Sequence, residues 1–153
     1  MNQSPIPWED SPKKTTKRPS GKKQESAFWK SFRNQAKKHR PNWLLTRIES
    51  WAAAGVPDVL GCDDLGQFFM IELKTTQGNS VRLSPHQVSF MTTHQHAPAW
   101  VLVHQSHRNG ESIFLYAGKD AAALVKDGLR TEPVLRLDMP FEWIEIFPLL
   151  TTQ

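Results

Sequence analysis

The sequence contains a single cysteine, Cys62, and no long run of apolar residues. One cysteine excludes a disulfide within the chain and fits a reducing cytosol. The apolar runs fall far short of a membrane span, and the start of the chain lacks the charged-then-apolar pattern of a secretory signal. No internal repeat is apparent. With 153 residues, we expect one cytoplasmic domain with a substantial core.

Acidic residues are scarce in the first forty positions. Residues 1–40 hold 11 Lys and Arg against 3 Asp and Glu, whereas residues 41–153 hold 8 against 12. This asymmetry indicates a basic segment that grips a polyanion, and the alternative is a disordered tail that only aids solubility. Residues 1–24 are rich in Pro, Ser, Thr and Lys and predict a flexible arm, followed by a single domain over 25–153. The expected polyanion-contacting residues are Lys13, Lys14, Lys17, Arg18, Lys22, Lys23, Lys30, Arg33, Lys37 and Lys38.

Helix signals recur along the chain. Ser26 is expected to cap a helix that Pro41 ends, and Asn42 to cap a second helix that stops at Gly55. Ser84, followed by Pro85 and by Gln87 three residues later, has the pattern of a capping box. A further short helix ends at Gly128. The apolar positions of the first helix are Phe28, Trp29, Phe32 and Ala36.

Strand signals separate these helices. "GVPDVLGCDDLGQFFMIELK", residues 55–74, predicts a hairpin, and "AWVLVH" and "HRNGESIFLY" predict two paired strands around an Asn109-Gly110 turn. "VLRLDM" alternates as a strand does. The order of elements predicts an α/β fold with a mixed central β-sheet flanked by helices.

The hairpin carries charges at one end. If Gly66 is the left-handed residue of a three-residue loop, antiparallel counting places Asp58 directly opposite Glu72, with their Cβ atoms about 4.5–5.5 Å apart. Lys74 then lies on the same face as Glu72. Two carboxylates this close repel each other unless a cation lies between them. Their oxygens suit Mg²⁺, which binds through one or two carboxylates, water and phosphate oxygens.

Glu49 is the other carboxylate of interest. On the predicted second helix it shares a face with Leu45 and Ala52, and this helix leads directly into Asp58. We therefore expect it to approach the same metal or a second one. The alternative is an ion pair with Arg47 or Arg82.

These motifs together resemble the PD-(D/E)xK nuclease superfamily. "GVPD", thirteen residues and "ELK" match its core pattern, while "RIES" and "LSPHQ" resemble its Holliday junction resolvase and virus-type replication-repair branches. The resemblance covers residues 44–91 and implies a restriction-endonuclease-like core. It departs from some relatives at Met91, where they carry a tyrosine.

The resemblance implies roles for individual residues. Asp58, Glu72 and the backbone carbonyl of Leu73 would ligate Mg²⁺ or Mn²⁺, and Glu49 would bind directly or through water. Lys74 would orient the attacking water, and Gln87 would contact the lysine or the scissile phosphate. The implied reaction is hydrolysis of DNA that leaves a 5′-phosphate, on branched DNA such as a four-way junction. Two symmetric cuts require a two-fold dimer.

Other interpretations stay open from the sequence. The same core fits a homing or restriction-like endonuclease of linear duplex, and an inert nucleic-acid-binding or assembly protein is the alternative of another class. The alternative for the charged trio is a structural ion-pair cluster, and the alternative for Gln87 is simple capping of the helix.

The histidines and aromatic residues also allow two interpretations. We expect solvated or DNA-facing histidines rather than a zinc site at His94, His96, His104 and His107. The aromatic tail is expected to pack in the core, and the alternative is a dimer surface. The tryptophans are also expected to pack in the core, and their alternative role is stacking on bases. The residues concerned are Phe141, Trp143, Ile144 and Phe147 in the tail, with Trp29 and Trp43.

Overall fold

The computed structural model describes residues 21–49 and 53–152. Its elements in chain order are α1 (Gly21–His39), β1 (Leu44–Arg47), β2 (Val59–Cys62), β3 (Phe68–Thr76), α2 (Pro85–Thr93), β4 (Ala99–His107), β5 (Gly110–Ala117), α3 (Ala121–Asp127), β6 (Leu135–Asp138) and α4 (Phe147–Leu150), with short 3-10 turns at 118–120, 128–130 and 143–145. None of the described helices is long and apolar enough to cross a membrane.

The six strands form one sheet in the order β1-β2-β3-β4-β5-β6. Strands β3 and β4 are parallel because α2 carries the chain back across the sheet, and every other neighbouring pair is antiparallel. The predicted mixed central sheet flanked by helices is therefore confirmed.

Helix α1 covers one face of the sheet. Its Phe28, Phe32 and Ala36 are buried against Leu73 and Leu102, as their helical spacing predicts. The helix begins at Gly21, before the predicted Ser26 cap, so residues 21–24 belong to α1 rather than to an arm. Residues 1–20 lie outside the described part of the chain.

The predicted second helix is wrong. Residues 44–47 form the edge strand β1, paired in antiparallel register with β2 from Leu44↔Cys62 to Arg47↔Val59. The outer edge of β2 presents backbone groups that require partners, and β1 supplies them. Gly55 ends no helix; it has a φ of 88° and lies against the backbone of His86, the second residue of α2. Residues 50–52 are not described.

Helices α2 and α3 cover the other face. Both ends of the predicted capping box are present at Ser84 and Gln87, and α3 ends at Gly128, which has a φ of 63°. Beneath these helices, Val101, Val103 and Tyr116 are buried in a second core.

The aromatic tail packs largely as predicted. Phe147 is buried in the core on the α1 side, and Phe141 and Trp143 pack against that core, whereas Ile144 is exposed. The tryptophans Trp29 and Trp43 are partly buried against the same core, in agreement with the core interpretation.

Candidate active site

The hairpin of β2 and β3 has the predicted register. Val59 pairs with Ile71 and Cys62 with Phe68, so Asp58, one residue before β2, faces Glu72. Gly66 in the connecting loop has a φ of 81°, as the predicted three-residue loop requires. The Oδ2 atom of Asp58 accepts a hydrogen bond of 2.9 Å from the backbone N–H of Leu73, which fixes this carboxylate at the end of the hairpin.

Glu72 is the buried centre of the cluster, with an exposed fraction of 1%. Its Oε1 lies 3.0 Å from Lys74 Nζ and accepts a hydrogen bond of 2.5 Å from Gln87 Nε2. Its Oε2 is buried, and no group of the described residues donates to it. Burial and the nearby charge of Asp58 raise the pKa of Glu72 to about 7, although Lys74 acts in the opposite direction.

Gln87 caps α2 as the sequence predicts, and its side chain also contacts Glu72, whereas the contact implied by the resemblance was with Lys74 or the scissile phosphate. Its Oε1 accepts from the backbone N–H of Ser84 at 2.9 Å, while Ser84 Oγ accepts from the backbone N–H of Gln87 at 3.1 Å. The other half of the amide, Nε2, is thereby aimed at Glu72. Capping of α2 and contact with the acidic centre use different atoms of one side chain, so both occur together.

Glu49 reaches the site by a different route from the predicted one. It is an exposed residue that follows β1, so the helical face that it was expected to share with Leu45 does not exist. It nevertheless lines the same cleft of about 360 Å³ as Asp58, Gln87 and Arg47. Strand β2 begins directly after Asp58, and β1 pairs with β2. This pairing places Glu49, two residues beyond the end of β1, near Asp58.

Glu25 is a carboxylate of this region that sequence reasoning missed. Helix α1 places it in a groove of about 620 Å³ with Lys74 and Arg82. Burial, followed by the charge of Asp58, raises the pKa of Glu25, and the charges of Lys74 and Arg47 lower it. Glu25 in turn contributes to the raised pKa of Glu72.

A sequence signal for Glu25 did exist. It lies three residues before Phe28 and seven before Phe32, and therefore on the apolar face of α1. A carboxylate on an apolar face requires a partner, which is the same argument that singled out Glu49. The signal was missed because the predicted helix began at Ser26.

The donor set fits one divalent cation. Among the described residues, no group of three or more His, Cys, Asp and Glu side chains is arranged to hold a metal ion. Mg²⁺, however, commonly uses one or two carboxylates and completes its shell with water and phosphate oxygens. Asp58 faces Glu72, and the unpartnered, buried Oε2 of Glu72 is the kind of atom that a cation would satisfy. The ligand set Asp58, Glu72, Leu73 carbonyl and Glu49 stays a prediction.

Three of the four histidines considered as zinc ligands contact neighbouring groups of the protein. His104 Nε2 lies 3.3 Å from Glu111 Oε2, His107 Nε2 lies 3.2 Å from Ser112 Oγ, and His94 stacks on Phe90.

The basic side chains expected to contact a polyanion are exposed wherever the structure describes them. These are Lys22, Lys23, Lys30, Arg33, Lys37 and Lys38, all on α1. Lys13, Lys14, Lys17 and Arg18 lie outside the described residues.

Comparison with known proteins shows similarity to a solved structure. No protein-family model matches the chain, and no curated protein matches it. The structure of Hjc from Archaeoglobus fulgidus, a Holliday junction resolvase from an archaeal hyperthermophile, is similar over 79% of this chain and 98% of that chain. The two sequences are 16% identical, and the TM-score is 0.46.

Proposed function

We propose that this protein is a metal-dependent DNA endonuclease that hydrolyses phosphodiester bonds, with branched DNA such as a four-way junction as its substrate. The observation that carries the proposal is the environment of Glu72. This buried carboxylate bonds to both Lys74 and Gln87, faces Asp58 and retains one unpartnered oxygen. Two acids and one base make a poorly balanced structural ion-pair cluster, and a divalent cation corrects the balance.

Asp58 and Glu72 are the residues that would hold Mg²⁺ or Mn²⁺, with the Leu73 carbonyl and Glu49 as further donors. When bound, such a cation supplies a more acidic water and neutralises charge that develops on the phosphate oxygens.

Lys74 would act on the water and the phosphate. Its side chain is 16% exposed and its ammonium nitrogen lies 3.0 Å from Glu72 Oε1, so the ammonium group is held beside the acidic centre. From there it orients the attacking water and stabilises negative charge on a non-bridging oxygen of the phosphate. Gln87 holds Glu72 by one half of its amide and thereby positions the carboxylate.

The partner in this proposal is DNA, bound through the exposed basic side chains of α1 and through the basic residues of positions 13–18. Such contacts are made to phosphates and are independent of base sequence. Resolution of a four-way junction by two symmetric cuts requires two copies of the chain, and we propose a two-fold homodimer that acts in the cytoplasm.

Cleavage assays test the proposal. Four-way junction, linear duplex and single-stranded DNA of equal length are each incubated with the purified protein and Mg²⁺ or EDTA. We expect the four-way junction to be cleaved in Mg²⁺ and not in EDTA. Preferential cleavage of linear duplex would instead indicate a homing or restriction-like enzyme, and binding without cleavage of any DNA would indicate an inert nucleic-acid-binding protein.

Variants of the central residues identify the site responsible. Glu72→Ala and Lys74→Ala are expected to abolish cleavage while junction binding is retained, because binding relies on basic residues outside the acidic centre. A variant that cuts at the wild-type rate would exclude the mechanism. Glu145→Ala, which removes an exposed carboxylate near the C-terminus, is the control and should cut normally.

A further inference from the structure

A cavity of about 560 Å³ lies between α1 and the ends of β3, β4 and β5, on the face of the sheet opposite Glu72 and Lys74. Residues 139–143 close one of its sides. Its volume lies within the range of roughly 300–1,000 Å³ that is usual for ligand pockets. We call it the aromatic cavity, because its walls include the rings of Phe28, His104, Phe141 and Trp143.

The rings of the cavity hold one another in place. Phe28 stacks on His104 with centroids 5.2 Å apart, and Phe141 contacts both His104 at 6.4 Å and Trp143 at 5.9 Å, edge to face. Glu111 fixes the orientation of His104 through the 3.3 Å contact with Nε2. The walls are therefore organised in advance, so that ordering them on binding costs little.

Most of the remaining lining residues are polar and uncharged. The amides of Gln24, Asn34 and Gln35 and the hydroxyl of Ser31 border the cavity. An amide offers both a donor and an acceptor, which suits the edge of a heterocycle. The carboxylate of Glu111 disfavours a phosphate inside the cavity, because two anions would lie close together.

The aromatic cavity adjoins the groove of Glu25 and Lys74, and Lys74 Nζ lies 3.0 Å from Glu72 Oε1 of the acidic site. Gln24, Thr75 and Thr76 line both the cavity and the groove of Glu25 and Lys74. A strand of nucleic acid bound in that groove would therefore pass the mouth of the cavity.

We propose that the aromatic cavity accommodates one unstacked nucleobase of the DNA bound at the acidic site. This inference rests on the proposed function. A nucleobase combines a π-face, which stacks on aromatic rings, with a hydrogen-bonding edge, which amides can read. A branch point supplies such bases at low cost, since unstacking is least expensive where pairing is already interrupted.

Photochemical cross-linking tests the position of the base. A set of four-way junctions carries 5-iodo-2′-deoxyuridine at successive positions near the branch, and each is irradiated with the full-length protein in Ca²⁺. We expect cross-links from one or two neighbouring positions, mapped by mass spectrometry to Phe28, His104, Phe141 or Trp143. Cross-links that map only outside the cavity would overturn the proposal.

Filling the cavity tests its contribution to binding. Ala27 and Ser31 line it from exposed positions of α1, so the double variant Ala27→Leu/Ser31→Leu should fold and narrow the cavity without adding a ring. We expect about tenfold weaker junction binding, the size of effect that loss of one base–aromatic stack produces. The control is Ala122→Leu, an exposed alanine of α3 on the opposite face, which should bind as the wild type does.

The outcomes separate this inference from the proposed function. If the wild-type protein neither binds nor cuts any DNA, the proposed function and the base-binding inference are both wrong. If it cuts the junction, and the filled variant binds as tightly as the wild type, the cavity holds no base while the nuclease proposal stands. The cross-linking experiment uses the wild-type protein, so it decides the question even if the filled variant does not fold.

Discussion

At the scale of single residues, Glu72 governs the electrostatics of the site. It is almost fully buried, opposed by Asp58 and supported by Lys74 and Gln87. Burial and the charge of Asp58 raise the pKa of Glu72 and so favour its protonated form, whereas a cation bound as proposed would favour the charged form.

The raised pKa of Glu72 predicts a pH dependence of stability. In metal-free protein the group keeps its proton up to about pH 7, whereas the unfolded chain releases it near 4.5. Between these values the folded state binds more protons, so the free energy of unfolding should fall as pH rises, by roughly 3 kcal/mol, and then level off. Urea unfolding in EDTA at several pH values measures this slope.

The matched control for that slope is Glu72→Gln, which cannot titrate at this position. Since the pKa of Glu25 is raised as well, part of the slope should persist in the variant. The difference between the two proteins isolates Glu72. Identical slopes would mean that Glu72 does not hold a proton in the folded state.

Glu25 gives a second prediction at this scale. Because it lies in the groove beside Lys74 and is electrostatically coupled to Asp58 and Glu72, Glu25→Gln should slow junction cleavage by about 10–100-fold, the range typical of residues that support a metal site. Glu145→Gln, the same substitution at an exposed position, should leave the rate unchanged. Full activity of Glu25→Gln would place this carboxylate outside the reaction.

At the scale of elements, the hairpin of β2 and β3 positions the site. Its register could be counted from the sequence because the turn at Gly66 fixes the pairing and a slip of one residue would turn every core side chain outward. Within it, Gly61 lies opposite Phe69, whose ring fills the space that a side chain would occupy.

The contact of Gly61 with Phe69 predicts a large effect of a small substitution. A Cβ at Gly61 would lie 2.1 Å from the Phe69 ring, so Gly61→Ala should lower the free energy of unfolding by about 1–3 kcal/mol through overpacking. Denaturant unfolding measures the loss. Gly78→Ala, at a site with no atom within 4 Å of the added methyl group, should change stability little. Equal losses of stability in Gly61→Ala and Gly78→Ala would show that the Phe69 ring moves aside for the added methyl group.

Strand β1 shows the limit of local reasoning. Residues 44–47 follow Asn42, a residue type that favours helix N-caps, and have helix-compatible spacing, yet they pair with the open edge of β2. Helix propensity determines secondary structure only weakly, and strand pairing overrides it when the edge of a sheet is open. The same reasoning placed Glu49 on the wrong element while correctly indicating its neighbourhood.

At the scale of the whole molecule, the exposed positive charge of α1 is separated from the acidic site. The described basic residues of α1 are exposed along the helix, whereas the acidic cluster lies at the open end of the hairpin. In the proposed function, this separation would allow DNA binding and cleavage to be altered independently.

Neutralisation of the N-terminal charges tests this separation. Replacement of the four basic residues of positions 13–18 by Gln should flatten the slope of log affinity against log salt by up to about 4 units, since each phosphate contact contributes about 0.9. Filter binding over a salt series measures it. The control is the replacement by Gln of Lys119 and Lys126, which are exposed on the side of the sheet opposite α1. An unchanged slope would mean that this segment does not bind DNA.

The sequence by itself determined the pairing of Asp58 with Glu72, the capping box of α2 and the mixed order of elements. These depend on turn geometry, on the period-two alternation of strands and on capping, which act over a few residues. Only the tertiary structure decided that residues 44–47 form a strand, that Gln87 bonds to Glu72, and that Glu25 enters the groove beside Lys74. Those outcomes depend on which edges and faces remain open after the sheet assembles, and local patterns carry no information about such long-range contacts.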